Sequence, residues 1–93
     1  MSVRIRIPTP LRGYTAGAAE VDLEAATVAE AIAQLAARHE GIAERLLDEA
    51  GRPRAFVNLY VGTHDVRTLA GLATPLADGD VVSIVPAVAG GAR

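Results

Sequence analysis

Cysteine, lysine and tryptophan are all absent from this 93-residue chain. Without cysteine there is no disulfide framework, no thiolate nucleophile and no thiolate metal ligand. Without lysine, all nine basic residues are arginine. Two readings of that absence stand side by side. A protein with an activated carboxyl end gains by lacking side-chain amines that it could acylate. A GC-rich genome would also favour arginine, and the abundant Ala, Gly and Val fit that reading as well. Positive charge is not in excess, since the net charge is -2 and the pI about 5.6. Phosphate binding calls for a basic stripe, so this balance argues against a nucleic-acid partner. No apolar run approaches the ~20 residues of a membrane span, and no stretch has the pattern of a signal peptide. The expectation is a soluble cytoplasmic protein with no membrane partner.

What is present suits one compact domain. The chain is 51% hydrophobic and 22% charged, whereas disorder needs fewer apolar residues and more net charge. Residues that carry catalysis are scarce. His39 and His64 have no His or Cys nearby at metal-ligand spacing. Asp78 and Asp80 flank Gly79 in a turn, where aspartate is favoured for backbone reasons. No glycine-rich phosphate loop and no serine-centred elbow occur. These absences predict a protein that is acted upon, with no catalytic residue, metal or cofactor of its own.

Period-two alternation marks Ser2 to Pro8 as a strand, with Val3, Ile5 and Ile7 on one face and Arg4 and Arg6 on the other. Leu11 to Ala18 reads as a loop with Tyr14 as its only aromatic. Glu20 to Glu24 alternates again, so pairing with the first strand sets its acids opposite Arg4 and Arg6. Thr27-Val28-Ala29-Glu30 is a capping-box pattern. The period then becomes helical, with Val28, Ala31, Ile32, Leu35 and Ala36 in one stripe. Gly41 is expected as the left-handed residue that ends this helix, and Ile42 to Leu47 as a further short turn. Ala55 to Val61 predicts a strand, His64 to Arg67 a short edge strand, and Leu69 to Leu76 an irregular plug at one end of the core. Val81 to Val85 is apolar on both faces, as a central strand would be. The sum is an α+β domain with a mixed sheet and one main helix across one face.

The chain then ends in Pro86-Ala87-Val88-Ala89-Gly90-Gly91-Ala92-Arg93. A proline closes the last strand in this reading. Residues 87–93 follow as a flexible tail, small and almost without chemistry of their own. Glycine lacks a Cβ and reaches backbone conformations closed to other residues. A Gly-Gly end can therefore thread a narrow channel and bring a main-chain carbonyl close to another protein's catalytic groups. The domain boundary is placed at 1–86 and 87–93.

A small ββαβββ domain with this ending resembles a ubiquitin-like β-grasp protein. In sequence it is similar to the bacterial sulfur carriers of the MoaD/ThiS family, and within them to the CysO-type branch of actinobacterial cysteine synthesis. The resemblance rests on Ile7-Pro8-Thr9 with Leu11-Arg12, on Gly41 to Asp48, and on Phe56-Val57-Asn58-Leu59-Tyr60-Val61. It continues through Asp65-Val66-Arg67, Gly71 to Thr74, Ala77 to Asp80, and Ile84-Val85-Pro86 to Gly91. It spans nearly the whole chain.

The resemblance implies a mechanism. An E1-like activating enzyme, using ATP and holding zinc, adenylates the terminal carboxylate, and sulfur replaces AMP to leave a thiocarboxylate. Gly91 would bear the sulfur, and Ala87, Val88, Ala89 and Gly90 would thread into the partner. In the CysO-type branch the acceptor would be an activated serine on a PLP-dependent cysteine synthase, with other sulfur-metabolite pathways, secondary metabolites among them, left open. A JAMM-type metalloprotease would process the tail or release cysteine. Partners would dock on the sheet face away from the helix, where alternation alone suggests Phe56, Tyr60, Val82 and Ile84. One departure matters: the active form of the family ends at the second glycine, and Ala92-Arg93 extends past it. Removal of Ala92 and Arg93 in maturation is the first reading. An added extension, or a protein that is no carrier, are the others. Two rival functions remain: the small subunit of a molybdopterin synthase, and a β-grasp interaction module with an inert tail.

Overall fold

The computed structural model describes residues 1–55 and 57–86. Phe56 and residues 87–93 lie outside the description. The elements are β1 (Ser2–Arg6), β2 (Glu20–Glu24), α1 (Val28–Arg38), α2 (Ile42–Leu46), β3 (Val57–Val61), β4 (His64–Asp65) and β5 (Val81–Pro86). Short 3-10 turns cover Thr9–Thr15, Val66–Thr68 and Gly71–Ala73. The five strands form one sheet in the order β2-β1-β5-β3-β4. Strands β1 and β5 run parallel, and the other neighbours are antiparallel. The doubly apolar β5 is central, as its composition predicted.

The alternating patterns of β1 and β2 become two faces. Val3, Ile5, Val21 and Leu23 are buried, and their charged neighbours point out. The register sets Arg4 opposite Asp22 and Arg6 opposite Glu20. Arg4 Nε donates to Asp22 Oδ1 at 2.7 Å, and Arg4 and Arg6 both lie 3.5 Å from Glu20 carboxylate oxygens. That contact holds the Asp22 carboxyl below its usual range, chiefly through the Arg4 hydrogen bond.

Helix α1 crosses the inner face. Thr27 Oγ1 accepts from the Glu30 amide at 3.1 Å, and Glu30 Oε1 accepts from the Ala26 amide at 2.8 Å. The box closes on the amide before the cap residue rather than on the cap itself. Such a cap stabilises a helix by about 1 kcal/mol. Val28, Ala31, Ile32 and Leu35 are buried against the sheet, each worth roughly 1–3 kcal/mol by the area it removes from water. Ala36 is only half-buried.

Gly41 has the left-handed conformation expected of it, with φ 90°, but at a different place. Helix α1 is capped by His39, and Gly41 opens α2. A Cβ there would lie 3.3 Å from Tyr14 Cε1, so both backbone and space require glycine. Other boundaries shift as well: β1 ends at Arg6, short of the expected Pro8, and β3 is described from Val57. The Leu11 to Ala18 loop begins inside the Thr9–Thr15 turn, which closes on Ala16 at φ 55° and Gly17 at φ 87°. Strand β4 is two residues long, because Asp65 caps the Val66–Thr68 turn and stops the pairing. Strand β5 runs through Pro86, opposite Val57, one residue past the expected end; proline is tolerated at a strand terminus.

Candidate functional site

The family resemblance implies Gly91 as the reactive residue, reached through Ala87, Val88, Ala89 and Gly90 and followed by Ala92 and Arg93. All seven lie outside the described residues, so the site is described from where the chain leaves the domain. Pro86 ends the described part of the central strand. It lines a cleft of about 340 Å³ with Pro10, Leu11, Tyr14, Arg45, Val57 and Ile84. The cleft is built by three elements. The Thr9–Thr15 turn, started by Pro10, presents Leu11 and Tyr14. Helix α2 presents Arg45, whose Nε donates to Tyr14 Oη at 2.6 Å across 31 residues of chain. Strands β3 and β5 form the floor.

The proposed docking face needs a correction. Val82 is completely buried and Ile84 is 4% exposed, both in the core that also holds Val28, Ala31, Ile32 and Leu35 of α1. Val82 lies beside Ile5 and Val61, and Ile84 beside Leu59. The outer residues of β5 are instead Val81, Ser83 and Val85, of which Val85 is 41% exposed. A strand apolar on both sides gives no parity from composition alone; pairing with Leu59 sets it. Tyr60 is half-buried and opposite Ser83, with Asn58 opposite Val85, so it sits on the outer face as expected. Phe56 lies outside the described residues.

That face carries an ion pair at its β4 edge. Arg67 Nη2 donates to Asp65 Oδ2 at 2.7 Å and to Asn58 Oδ1 at 2.8 Å, and the Arg67 amide donates to Asp65 Oδ1. The Arg67 side chain, and then its backbone N–H, hold the Asp65 carboxyl below its usual range. A depressed carboxyl pKa contributes stability above the unfolded value, about 3.9, and loses it as pH falls through the folded value. Asp65→Asn should therefore lower the unfolding midpoint at neutral pH, and the gap to the parent should close below pH ~4. A gap unchanged between pH 7 and pH 3 would sink this account.

The other candidate groups are occupied structurally. Asp78 Oδ1 accepts from the Ser2 amide at 2.9 Å, and Asp80 Oδ2 from the Ala77 amide at 2.8 Å. His39 is half-buried at the end of α1, and His64 is exposed. Among the described residues no group of three His, Asp or Glu side chains could hold a metal ion, and no helix is long and apolar enough to cross a membrane. The sequence reading did not assign Tyr14 and Arg45 to the site. The one signal available was a lone aromatic in a loop.

The mixed sheet with a helix across one face, and a terminal segment leaving the central strand, defines a ubiquitin-like β-grasp protein. The model of the ThiS family matches residues 5–91, and the chain belongs to that family. It is 48% identical over 93 residues to the sulfur carrier protein CysO of Mycobacterium tuberculosis, covering 98% of this chain and 100% of that one. The crystal structure of that CysO superposes with a TM-score of 0.88 at 46% identity, covering 92% and 99% of the two chains. A chain of the Amycolatopsis orientalis BexX/CysO complex superposes with a TM-score of 0.89 at 44% identity, covering 95% and 98%.

Proposed function

We propose that this chain is a sulfur carrier that holds sulfur as a thiocarboxylate on Gly91. The observation that carries this reading is the family match, which runs to Gly91 and stops there, before Ala92 and Arg93. Likeness to named sulfur carriers over nearly the full chain supports it. In this reading the chain is a substrate of other enzymes and not a catalyst.

The chemistry follows from a carboxylate's poor electrophilicity. A carboxylate oxygen of Gly91 attacks the α-phosphorus of ATP on an E1-like enzyme and pyrophosphate leaves. A sulfide-level nucleophile then attacks the acyl carbon. The C–S bond forms as the C–O bond to AMP breaks, and AMP departs with that oxygen. The thiocarboxylate sulfur then attacks the side-chain carbon of an activated serine on an acceptor enzyme. The C–S bond forms as the bond to the serine's leaving group breaks. The acyl group shifts from sulfur to the amino group of the same residue, and hydrolysis of that amide frees cysteine and the Gly91 carboxylate. Cysteine formation on a PLP-dependent synthase is the destination we propose, with a JAMM-type metalloprotease trimming the tail. The similar CysO chain in a complex with BexX supports a protein partner for this chain.

Residues after Gly91 block this chemistry while they remain, because Gly91 then carries a peptide bond in place of a carboxylate. The test is intact mass after incubation with an E1-like enzyme, ATP and sulfide, comparing a form ending at Arg93 with one ending at Gly91. Only the Gly91 form should gain the mass of an oxygen-to-sulfur exchange. No change in either form with a cognate activating enzyme would overturn the proposal.

A further inference from the structure

We propose that Arg45 and Arg54 form a seat for a carboxylate-bearing segment of the enzyme that takes the tail. The inference rests on the carrier reading and names the chemistry of the partner's contact. Beside the apolar cleft lies a depression of about 470 Å³ lined by Tyr14, Gly41, Glu44, Arg45 and Arg54. Its two guanidinium groups are aimed by neutral acceptors. Arg45 Nε donates to Tyr14 Oη at 2.6 Å, and Arg54 Nε to the Glu44 carbonyl at 2.7 Å. Tyr14 is held against Gly41, so the first of these anchors has little freedom.

Each guanidinium is thus fixed through Nε, and its terminal nitrogens have no acceptor among the described residues. No described carboxylate forms an ion pair with either, including that of Glu44 on the same wall. Arg4, Arg6, Arg52 and Arg67 differ, since each pairs with a carboxylate. A fixed guanidinium with its fork open is suited to bidentate capture of a carboxylate. The location selects the partner. Arg45 lines both the depression and the cleft that Pro86 borders. An enzyme that takes up the residues after Pro86 must approach this wall. On a chain of net charge -2, two such cations at that point are a local reversal that an acidic channel rim would complement.

The test uses the chain ending at Gly91 with its cognate activating enzyme, read as carrier-dependent ATP–pyrophosphate exchange over a range of salt. The R45E/R54E double variant should raise the KM for carrier by about tenfold or more, with kcat within about twofold, because rim charges act on encounter. The parent KM should rise with salt and the variant KM should not. The R45Q and R54Q single variants should show smaller KM increases in the same direction, and they read the seat if the double variant does not fold. An unchanged KM and an unchanged salt dependence in all three would overturn the seat while leaving the carrier reading intact. No exchange with the parent chain itself would overturn the carrier reading, and the seat with it.

Discussion

Gly91→Val, made in the form that ends at residue 91, should cut the rate of thiocarboxylate formation by about 100-fold or more. Misplacing a reacting centre by about 1 Å can cost that much. A carboxylate oxygen of residue 91 attacks the α-phosphorus and its acyl carbon then takes the sulfur, and glycine leaves both approaches free of a side chain. Valine puts a branched side chain on the Cα bonded to the acyl carbon and restricts φ and ψ. The carboxylate itself survives, so the loss isolates access and orientation from the presence of the group. The domain should be untouched, since residue 91 lies beyond β5. The measurement is a mass time course, with thermal unfolding of the same samples as a control. Equal rates for the parent and the Gly91→Val variant would mean that the acyl carbon is not approached through a narrow channel.

Much of the fold was legible because it rests on local rules. The alternation in Ser2–Arg6 and Glu20–Glu24 is a direct image of two sheet faces, and the register pairs Arg4 with Asp22 as the charges required. The Thr27 and Glu30 pattern marked the start of α1 because capping depends on residues three apart. The double apolarity of Val81–Val85 pointed to a central strand, and β5 does lie between β1 and β3, although only its inner face is covered and Val85 stays 41% exposed.

What was not legible depends on long-range pairing. The parity of β5 is decided by which residue faces Leu59, information carried by neither strand alone. The end of β4 is decided by Asp65 turning back onto the Arg67 amide, a competition between a side-chain cap and a ladder bond. The Tyr14–Arg45 contact joins a turn to a helix 31 residues later. Nothing in the periodicity of either segment announces it. By contrast the Gly-Gly end stands in the sequence itself, and the family match ends at Gly91.

The two faces of β5 give the second large expected effect. Val82→Asp should abolish cooperative unfolding, or leave a chain unfolded at 25 °C. Val82 is fully buried, between Ile5 on one side and Val61 on the other, with α1 above. A carboxylate there finds apolar carbon and no cation, and an uncompensated buried charge costs about 3–5 kcal/mol or more. That is comparable with the whole stability of a domain, about 5–15 kcal/mol. Val85→Asp, three residues away on the same strand, should behave differently. It is 41% exposed and opposite Asn58, so the change should stay within about 0.5 kcal/mol. That corresponds to a shift of roughly 2–4 °C for a domain of this size. Circular dichroism melts of the two variants decide the matter. Comparable destabilisation by both would place Val85 in a core as well. A Val82→Asp chain that melts like the parent would turn β5 over, and would return Val82 and Ile84 to the docking face from which their burial removes them.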